Sequence, residues 1–394
     1  MDQREVVVLS GVRTAIGDFG GSLKDQPPTR LGALCIREAV ARAAIDPAGI
    51  GHVVIGNVIH GEARDMYMSR VAALDGGLPD GTPCLTVNRL CGSGLQAIVS
   101  AAQHILLGDC DTAVAGGAES MSRSGYFMPA ARWGQRMGDA QVIDAMTAAL
   151  HDPFGHGHMG VTAENIAAKY GITREQQDAF AMESHRRAAS ALDAGHFRSQ
   201  IVPVEVKTKK GPANFEIDEH VRRELKIEDM QKLKPAFKKD GTVTAGNASG
   251  LNDAAAAVVL MERGAAQKRG AKPLARLVAY SHAGVEPQLM GLGPIPAVKL
   301  VFAKAGLKPA DIDVIESNEA FAVQAMAVTR DLGLDPAKVN PNGGAVALGH
   351  PIGATGAILT VKAIHELQRT GKRYALVTMC IGGGQGIAAI FERL

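Results

Sequence analysis

AVARAAIDPAGI at residues 39–50 and VFAKAGLKPADI at residues 301–312 are two versions of one pattern. Ala41, Ala43, Pro47, Ala48 and Ile50 of the first recur as Ala303, Ala305, Pro309, Ala310 and Ile312, and Arg42 is matched by Lys304. Each stretch leads into an apolar run that ends at an asparagine, Asn57 or Asn318. About one strand–helix unit later come Cys91 in one half and His350 in the other, ahead of the glycine-rich helix starts Gly92-Ser93-Gly94 and Gly353-Ala354-Thr355-Gly356. The next strand ends at Gly116-Gly117 in one half and at Cys380-Ile381-Gly382-Gly383-Gly384 in the other. So long a period means internal duplication, two related α/β halves rather than a solenoid. Matching loops of a duplicated fold share one interface, so Cys91, Asn318, His350 and Cys380 are expected to converge.

The first half alternates strand and helix. Residues 6–9 read as a strand, 31–44 as a helix, 53–59 as a strand, 66–74 as helical and 85–88 as a short buried strand. After Cys91, Gly92 and Gly94 allow a tight turn. Leu95, Ile98, Val99, Ala102, Ile105 and Leu106 then fall at helical spacing, with Gly108 as the stop. Residues 112–115 form the next strand. This rhythm predicts α/β layers. From 119 to about 250 it gives way to Gly-, Met- and charge-rich segments with one clear helix, 174–194. Between Glu205 and Lys239 stand ten Lys/Arg against seven Asp/Glu, a solvated face or a source of cations for a phosphorylated ligand. Residues 253–261 read as a buried strand completing the first unit. The expected organisation is residues 1–118 with 251–270 as one half, 119–250 as an insertion, and 271–394 as the other half.

Composition bounds the function. A chain of 394 residues exceeds one core. A mix of 46% hydrophobic and 21% charged residues is that of a soluble globular protein, and a net charge of +2 argues against a nucleic-acid partner. Five scattered cysteines without a CxxC pair fit a reducing compartment. The N-terminal residues lack the apolar core of a signal peptide, the C-terminus is no peroxisomal address, and the longest apolar run, 254–261, is too short for a bilayer. Cytoplasmic residence and no membrane partner are expected.

The chemistry rests on combination. Cys91 at a strand-to-helix turn lies near helix N–H groups, which favours thiolate; the same position suits a small buried hydrophobe. Taken singly, Asn318 could cap a helix, His350 could make one backbone bond in a buried loop, and Cys380 could be a core thiol. Together, Cys with His is a nucleophile-activation pair, a second thiol suggests a separate proton transfer, and glycine-rich backbone leaves N–H groups for an oxyanion. The inferred chemistry is acyl transfer through a thioester. His151, His156 and His158 crowd eight residues, but dense glycine and no nearby Cys argue against a metal site, and none is expected.

Over essentially its whole length the chain resembles thiolases, in particular the bacterial biosynthetic acetyl-CoA acetyltransferase or β-ketothiolase type. NRLCGSG at 88–94, NEAFA at 318–322, GHPIGATG at 349–356 and CIGGGQG at 380–386 match that family's motifs in order. The resemblance implies a duplicated thiolase-like α/β fold, two related layered halves with an inserted CoA-binding loop domain. It implies an acyltransferase catalysing reversible Claisen condensation of two acyl-CoA molecules, acetyl-CoA giving acetoacetyl-CoA and CoA, with longer 3-ketoacyl-CoAs a further possibility. Cys91 would carry the acyl group, His350 would activate it, and Cys380 would move the α-proton. His350 with a water held by Asn318 would form one oxyanion hole, and the N–H groups of Cys91 and Gly382 the other. His158 and Met159 would line the pantetheine pocket with Leu150, Ala245, Ser249, Met290 and Phe321, while Arg222 would lie near the nucleotide end. CoA would be substrate and product, with no other cofactor. Tyr126, Phe127, Trp133 and Met137 cluster in an aromatic-poor chain, and similar thiolases use this loop to join two dimers into a homotetramer. The alternative is a ketosynthase or a hydroxymethylglutaryl-CoA synthase-like condensing enzyme, against which the thiol of CxGGGxG argues. A nucleotide-binding module would need the full GxGxxG pattern, which Gly92-Ser93-Gly94 lacks.

Overall fold

The computed structural model describes residues 4–394, so the first three residues of the expected N-terminal half lie outside it. The first half comprises β1 (Val6–Thr14), α1 (Pro28–Arg42), β2 (His52–Gly56), α2 (Met68–Asp75), β3 (Cys84–Val87), α3 (Ser93–Leu107) and β4 (Thr112–Ser120). An insertion carrying α4 (Met159–Tyr170) and α5 (Arg174–Asp193) follows, then β5 (Asn252–Glu262). The second half comprises β6 (Ala275–Gly284), α6 (Pro294–Ala305), β7 (Val314–Ser317), α7 (Ala322–Asp331), α8 (Thr355–Thr370), β8 (Tyr374–Ile381) and β9 (Gln385–Arg393).

Strand order is β7-β8-β9-β6-β1-β5-β4-β2-β3. In the first half β2 runs parallel to β4, β4 antiparallel to β5, and β5 antiparallel to β1. In the second half β7, β8, β9 and β6 repeat the same order and the same senses. The duplication read from the proline stretches is therefore a duplication of backbone, and both stretches form a 3₁₀ turn, Pro47–Gly49 and Pro309–Asp311. The halves join between β1 and β6 through Val7↔Arg276 and Val8↔Ala275.

β5 is buried on both faces, which is why it reads as a continuous apolar run. Its Val258 and Leu260 pack inward with Ile98 and Ile105 of α3, Ile358 and Ile364 of α8, and Val377 of β8. Its Val259 and Met261 face outward, toward Ile36 of α1 and Met68 of α2. Val298 and Phe302 of α6 cover Leu376 and Ile390 on the outer face of the second half. Helices α3 and α8 thus form a central layer. Each fully buried Leu or Ile there contributes about 1.5–3 kcal/mol. This position accounts for the stretch Leu90–Leu107, whose 18 residues have the length and apolarity to cross a membrane at a mean hydropathy of 1.3.

The glycines at the helix starts have a different task from the expected one. Neither Gly92 nor Gly94 has positive φ; that conformation falls on Leu90, at φ +46°. A Cβ on Gly94 would lie 2.7 Å from Ala357 N, and one on Gly356 would lie 2.3 Å from Leu95 N. The two helices meet backbone to backbone, which only glycine permits.

Other departures have equally local causes. The strand near 85–88 lies at the end of the sheet, with Leu85 40% exposed, so it is an edge and not a core strand. The strand expected over 112–115 continues to Ser120 because β5 pairs with it along its whole length. Ahead of α2, Ala63–Tyr67 form a 3₁₀ turn closed by a Glu62/Asp65 capping box. The insertion is tied to β1 by fully buried Arg13, which donates to both carboxylate oxygens of Asp218 at 2.7 and 2.9 Å and to Gln200 at 2.8 Å.

Candidate active site

Cys91 stands in the turn between β3 and α3. Asn88 Oδ1 accepts the Leu90 N–H at 2.9 Å, while Ser93 Oγ accepts the Arg89 N–H at 2.9 Å and donates to Leu90 O at 2.6 Å. These bonds lock the turn and hold Leu90 in its left-handed conformation. The second half closes over it: a Cβ on Gly92 would lie 2.7 Å from Ile381 Cδ1. Burial dominates the thiol and pushes it up to about 11, although the N–H groups of Gly382 and of Cys91 itself reach the sulfur and favour thiolate. Burial thus opposes the thiolate that the helix start favours. Two N–H groups at a helix start do not offset the loss of water where the two halves meet.

His350 follows Gly349, which has φ +105°. Its Nδ1 lies 2.7 Å from Thr355 Oγ1, and that hydroxyl donates to Pro351 O at 2.9 Å. With the Thr355 proton committed, the hydrogen-bond network assigns the imidazole proton to Nδ1 and leaves Nε2 as an acceptor, 3.4 Å from Asn318 Nδ2. Burial holds the ring down at about 4, hence neutral and able to take a proton. Asn318 is fully buried, and its Oδ1 has no protein partner. Cys380, fully buried at the end of β8, is raised well above the usual thiol range by burial and by nearby Cys91. Cys91 and Cys380 come together from the two halves, and Asn318 and His350 meet within the second.

Of the proposed substrate contacts, Met159, Met290 and Phe321 share one apolar cluster with Cys380. Leu150 packs with Cys91 and Ile352. His158 caps α4, its Nδ1 accepting the Gly160 N–H at 3.0 Å, so Nε2 carries the proton and is a donor. Its ring stacks on Phe237 at 4.7 Å, and Phe237 meets Phe321 edge-on at 6.2 Å. Ser249 N donates to Ala320 O at 3.1 Å, joining its loop to the Asn318 loop. Ala245 and Arg222 are exposed and share none of this packing; Arg222 lines an open concavity of about 590 Å³ with Arg223. His151 and His158 meet edge to face at 5.2 Å, but His151 Nδ1 is taken by Thr147 O at 2.8 Å. Among the described residues, no group of three His, Cys, Asp or Glu side chains is placed to hold a metal. A cavity of about 550 Å³ lies behind Glu319, lined by Phe180, Ser184, Arg187 and Leu334, and includes neither thiol.

Sequence reasoning missed Phe237, Thr355, Asn252 and Glu119. Phe237 had a signal, as the one aromatic ring in the charged stretch 221–239. Thr355 sits within a quoted motif but carries no periodic mark of its own.

A family model described as the thiolase N-terminal domain matches residues 6–264, and the thiolase C-terminal domain matches 271–393. The chain belongs to the thiolase family. This thiolase is 68% identical over 392 residues to beta-ketothiolase BktB of Cupriavidus necator, covering 99% of this chain and 100% of that one. It is 49% identical over 391 residues to an acetyl-CoA acetyltransferase of Chromobacterium violaceum, covering 99% and 100%. Among solved structures, it matches the Bacillus anthracis acetyl-CoA acetyltransferase with a TM-score of 0.97 at 46% identity, covering 100% of this chain and 99% of that one. Human mitochondrial 3-ketoacyl-CoA thiolase in complex with CoA matches with a TM-score of 0.96 at 43% identity, covering 100% and 98%.

Proposed function

We propose that this thiolase catalyses the reversible Claisen condensation of two acyl-CoA molecules, acetyl-CoA giving acetoacetyl-CoA and CoA, and that it also accepts longer 3-ketoacyl-CoAs. The observation that carries this reading is a thiol from each half, Cys91 near enough to raise Cys380, together with a neutral His350 whose Nε2 is the acceptor nitrogen. His350 Nε2 takes the Cys91 proton as the sulfur attacks the thioester carbonyl. The resulting oxyanion is held by the N–H groups of Cys91 and Gly382, and its collapse expels CoA thiolate, which Cys380 protonates. The Cys380 thiolate then removes an α-proton from the second acetyl-CoA. The enolate oxygen is stabilised by protonated His350 and by a water bound to Asn318, whose unpartnered Oδ1 suits that task. Attack of the enolate on the acyl-enzyme releases Cys91, which regains its proton from His350. The ketosynthase-like alternative is not favoured, because it gives Cys380 no role.

Met159, Met290 and Phe321 form an apolar wall suited to pantetheine, His158 Nε2–H supplies a donor, and Arg222 with Arg223 suits the phosphates. CoA is substrate and product, and no other cofactor is assigned. Tyr126, Trp133 and Met137 are 69%, 83% and 92% exposed on a projecting hairpin, which suits a dimer of dimers. Free thiols at the centre of the chemistry suit the reducing cytoplasm.

The test is purified protein with acetoacetyl-CoA and CoA, followed by the 3-keto thioester absorbance, together with peptide mass spectrometry after incubation with acetyl-CoA. Loss of absorbance and acetyl on Cys91 are expected. No thiolysis, or acetyl on Cys380, would overturn the reading.

A further inference from the structure

The sheet register exposes a second constellation. Gly56 pairs with Gly117 between β2 and β4, and Ser317 pairs with Thr378 between β7 and β8. One residue on from Gly56 and Ser317 stand Asn57 and Asn318; two residues on from Gly117 and Thr378 stand Glu119 and Cys380. Counting back three residues from the touching Gly94 and Gly356 gives Cys91 in one half and Gly353 in the other. His350 is therefore not the register partner of Cys91, which is Gly353. In the reacting site, the strand end of the second half, Cys380, faces the turn of the first, Cys91. In its mirror, the strand end of the first half, Glu119, faces the turn of the second, Gly353.

Glu119 is fully buried. Its Oε2 accepts the N–H groups of Gly353 at 2.8 Å and Val58 at 3.0 Å, and its Oε1 accepts Asn57 Nδ2–H at 3.0 Å and the Ile59 N–H at 3.1 Å. A Cβ on Gly353 would lie 2.4 Å from Oε2, and one on Gly117 would lie 2.2 Å from Gly353 O. Gly353 is thus gripped by the first half on two sides. It belongs to the turn that carries His350, whose ring is bonded to Thr355 two residues further on. We propose that Glu119 is a positioning residue for acyl transfer, fixing the His350 turn of the second half against the half that carries Cys91. The inference rests on the roles of Cys91 and His350 given above. Burial raises the Glu119 carboxyl to about 8, with Asp65 the other acidic group acting on it, yet four N–H donors leave a carboxylate as the species that satisfies them all.

Glu119→Gln preserves shape but turns an amide NH₂ toward two N–H donors, loosening the grip on Gly353. In the folded variant, single-turnover acetylation of Cys91 by acetyl-CoA should fall roughly 5–150-fold, the range expected from unsatisfied buried donors. The Kd for CoA should change less than about twofold. The pH profile of Cys91 alkylation by iodoacetamide should approach that of His350→Ala in Gly353→Ala, which disturbs the turn while keeping the Glu119 charge that itself acts on the Cys91 thiol. Gly353→Ala, pressing on the same contact from the other side, should reproduce the loss, and the double variant should lose no more than either alone. Should Glu119→Gln not fold, Glu119→Asp takes its place, retaining charge while shortening the reach. Normal acetylation and a wild-type alkylation profile in the folded variants would overturn the proposal. Wild-type protein that does not acetylate Cys91 would instead overturn the functional reading beneath it.

Discussion

Asn252 Oδ1 accepts the backbone N–H of His350 at 2.8 Å. Asn252 opens β5, in the first half, and its Nδ2 donates to Gly17 O at 3.1 Å and to Asp18 Oδ1 at 3.2 Å. A Cβ on Gly349 would lie 2.4 Å from Asn252 Cγ, so glycine precedes the histidine to admit this side chain. His350, the proposed base for Cys91, is therefore suspended from the first half.

Asn252→Ala should leave the buried His350 N–H unsatisfied and cost about 1–3 kcal/mol. A denaturant midpoint lowered at constant m-value, together with slower Cys91 acetylation, is the expected result. Unchanged stability would show that this bond is replaced without cost.

The two thiols should be separable. Cys91→Ala abolishes acylation. Cys380→Ala retains acetyl transfer from acetyl-CoA to Cys91, with slower departure of CoA, while losing the base for the second substrate costs condensation ~10²–10⁴-fold. Rapid-quench acylation beside solvent-deuterium exchange at the acetyl methyl decides it. Normal exchange in Cys380→Ala, or acyl-enzyme in Cys91→Ala, would reverse the assignment.

Three buried histidines should oppose folding in acid, and the contribution of His350 can be isolated. Burial lowers His350 from 6.5 to about 4, and His185 and His282 also reach about 4, chiefly through burial. Between those values the unfolded chain binds protons that the folded chain refuses, so stability rises with pH across the window and is lost as pH falls through it. Each group contributes up to about 1.4 kcal/mol per pH unit. Set against the raised carboxyls of Glu119 and Glu316, which act in the opposite sense, His350→Asn should raise the thermal midpoint at pH 4 relative to pH 6.5 compared with the parent. At the alkaline end, a Cys91 thiol at about 11 predicts alkylation that climbs beyond pH 9. A plateau near neutrality would mean a preformed thiolate.

Removing residues 126–137 should convert a tetramer into dimers with partial activity, because it deletes the exposed Tyr126, Phe127 and Trp133 without touching either thiol. Light scattering reads the outcome. An unchanged oligomer, or a monomeric parent, would end this proposal.

By itself the sequence determined the duplication, the strand–helix rhythm and the four loops that meet at the centre. Those features are written in local spacing: Pro47 and Pro309 at equal offsets, apolar residues at helical intervals after Cys91, and glycines where each strand ends. Tertiary structure decided the rest. The state of Cys91 depends on how much water the two halves exclude, and that burial works against what its helix-start position favours. Gly94 and Gly356 look like turn glycines in sequence, yet their task is to let α3 and α8 touch, a demand set by a residue more than two hundred positions away. Glu119 and Asn252 sit at strand ends with no periodic signal. Their partners, Gly353 and His350, become neighbours only when the halves pack, because a buried hydrogen bond across a duplicated interface has no counterpart in the order of residues along the chain.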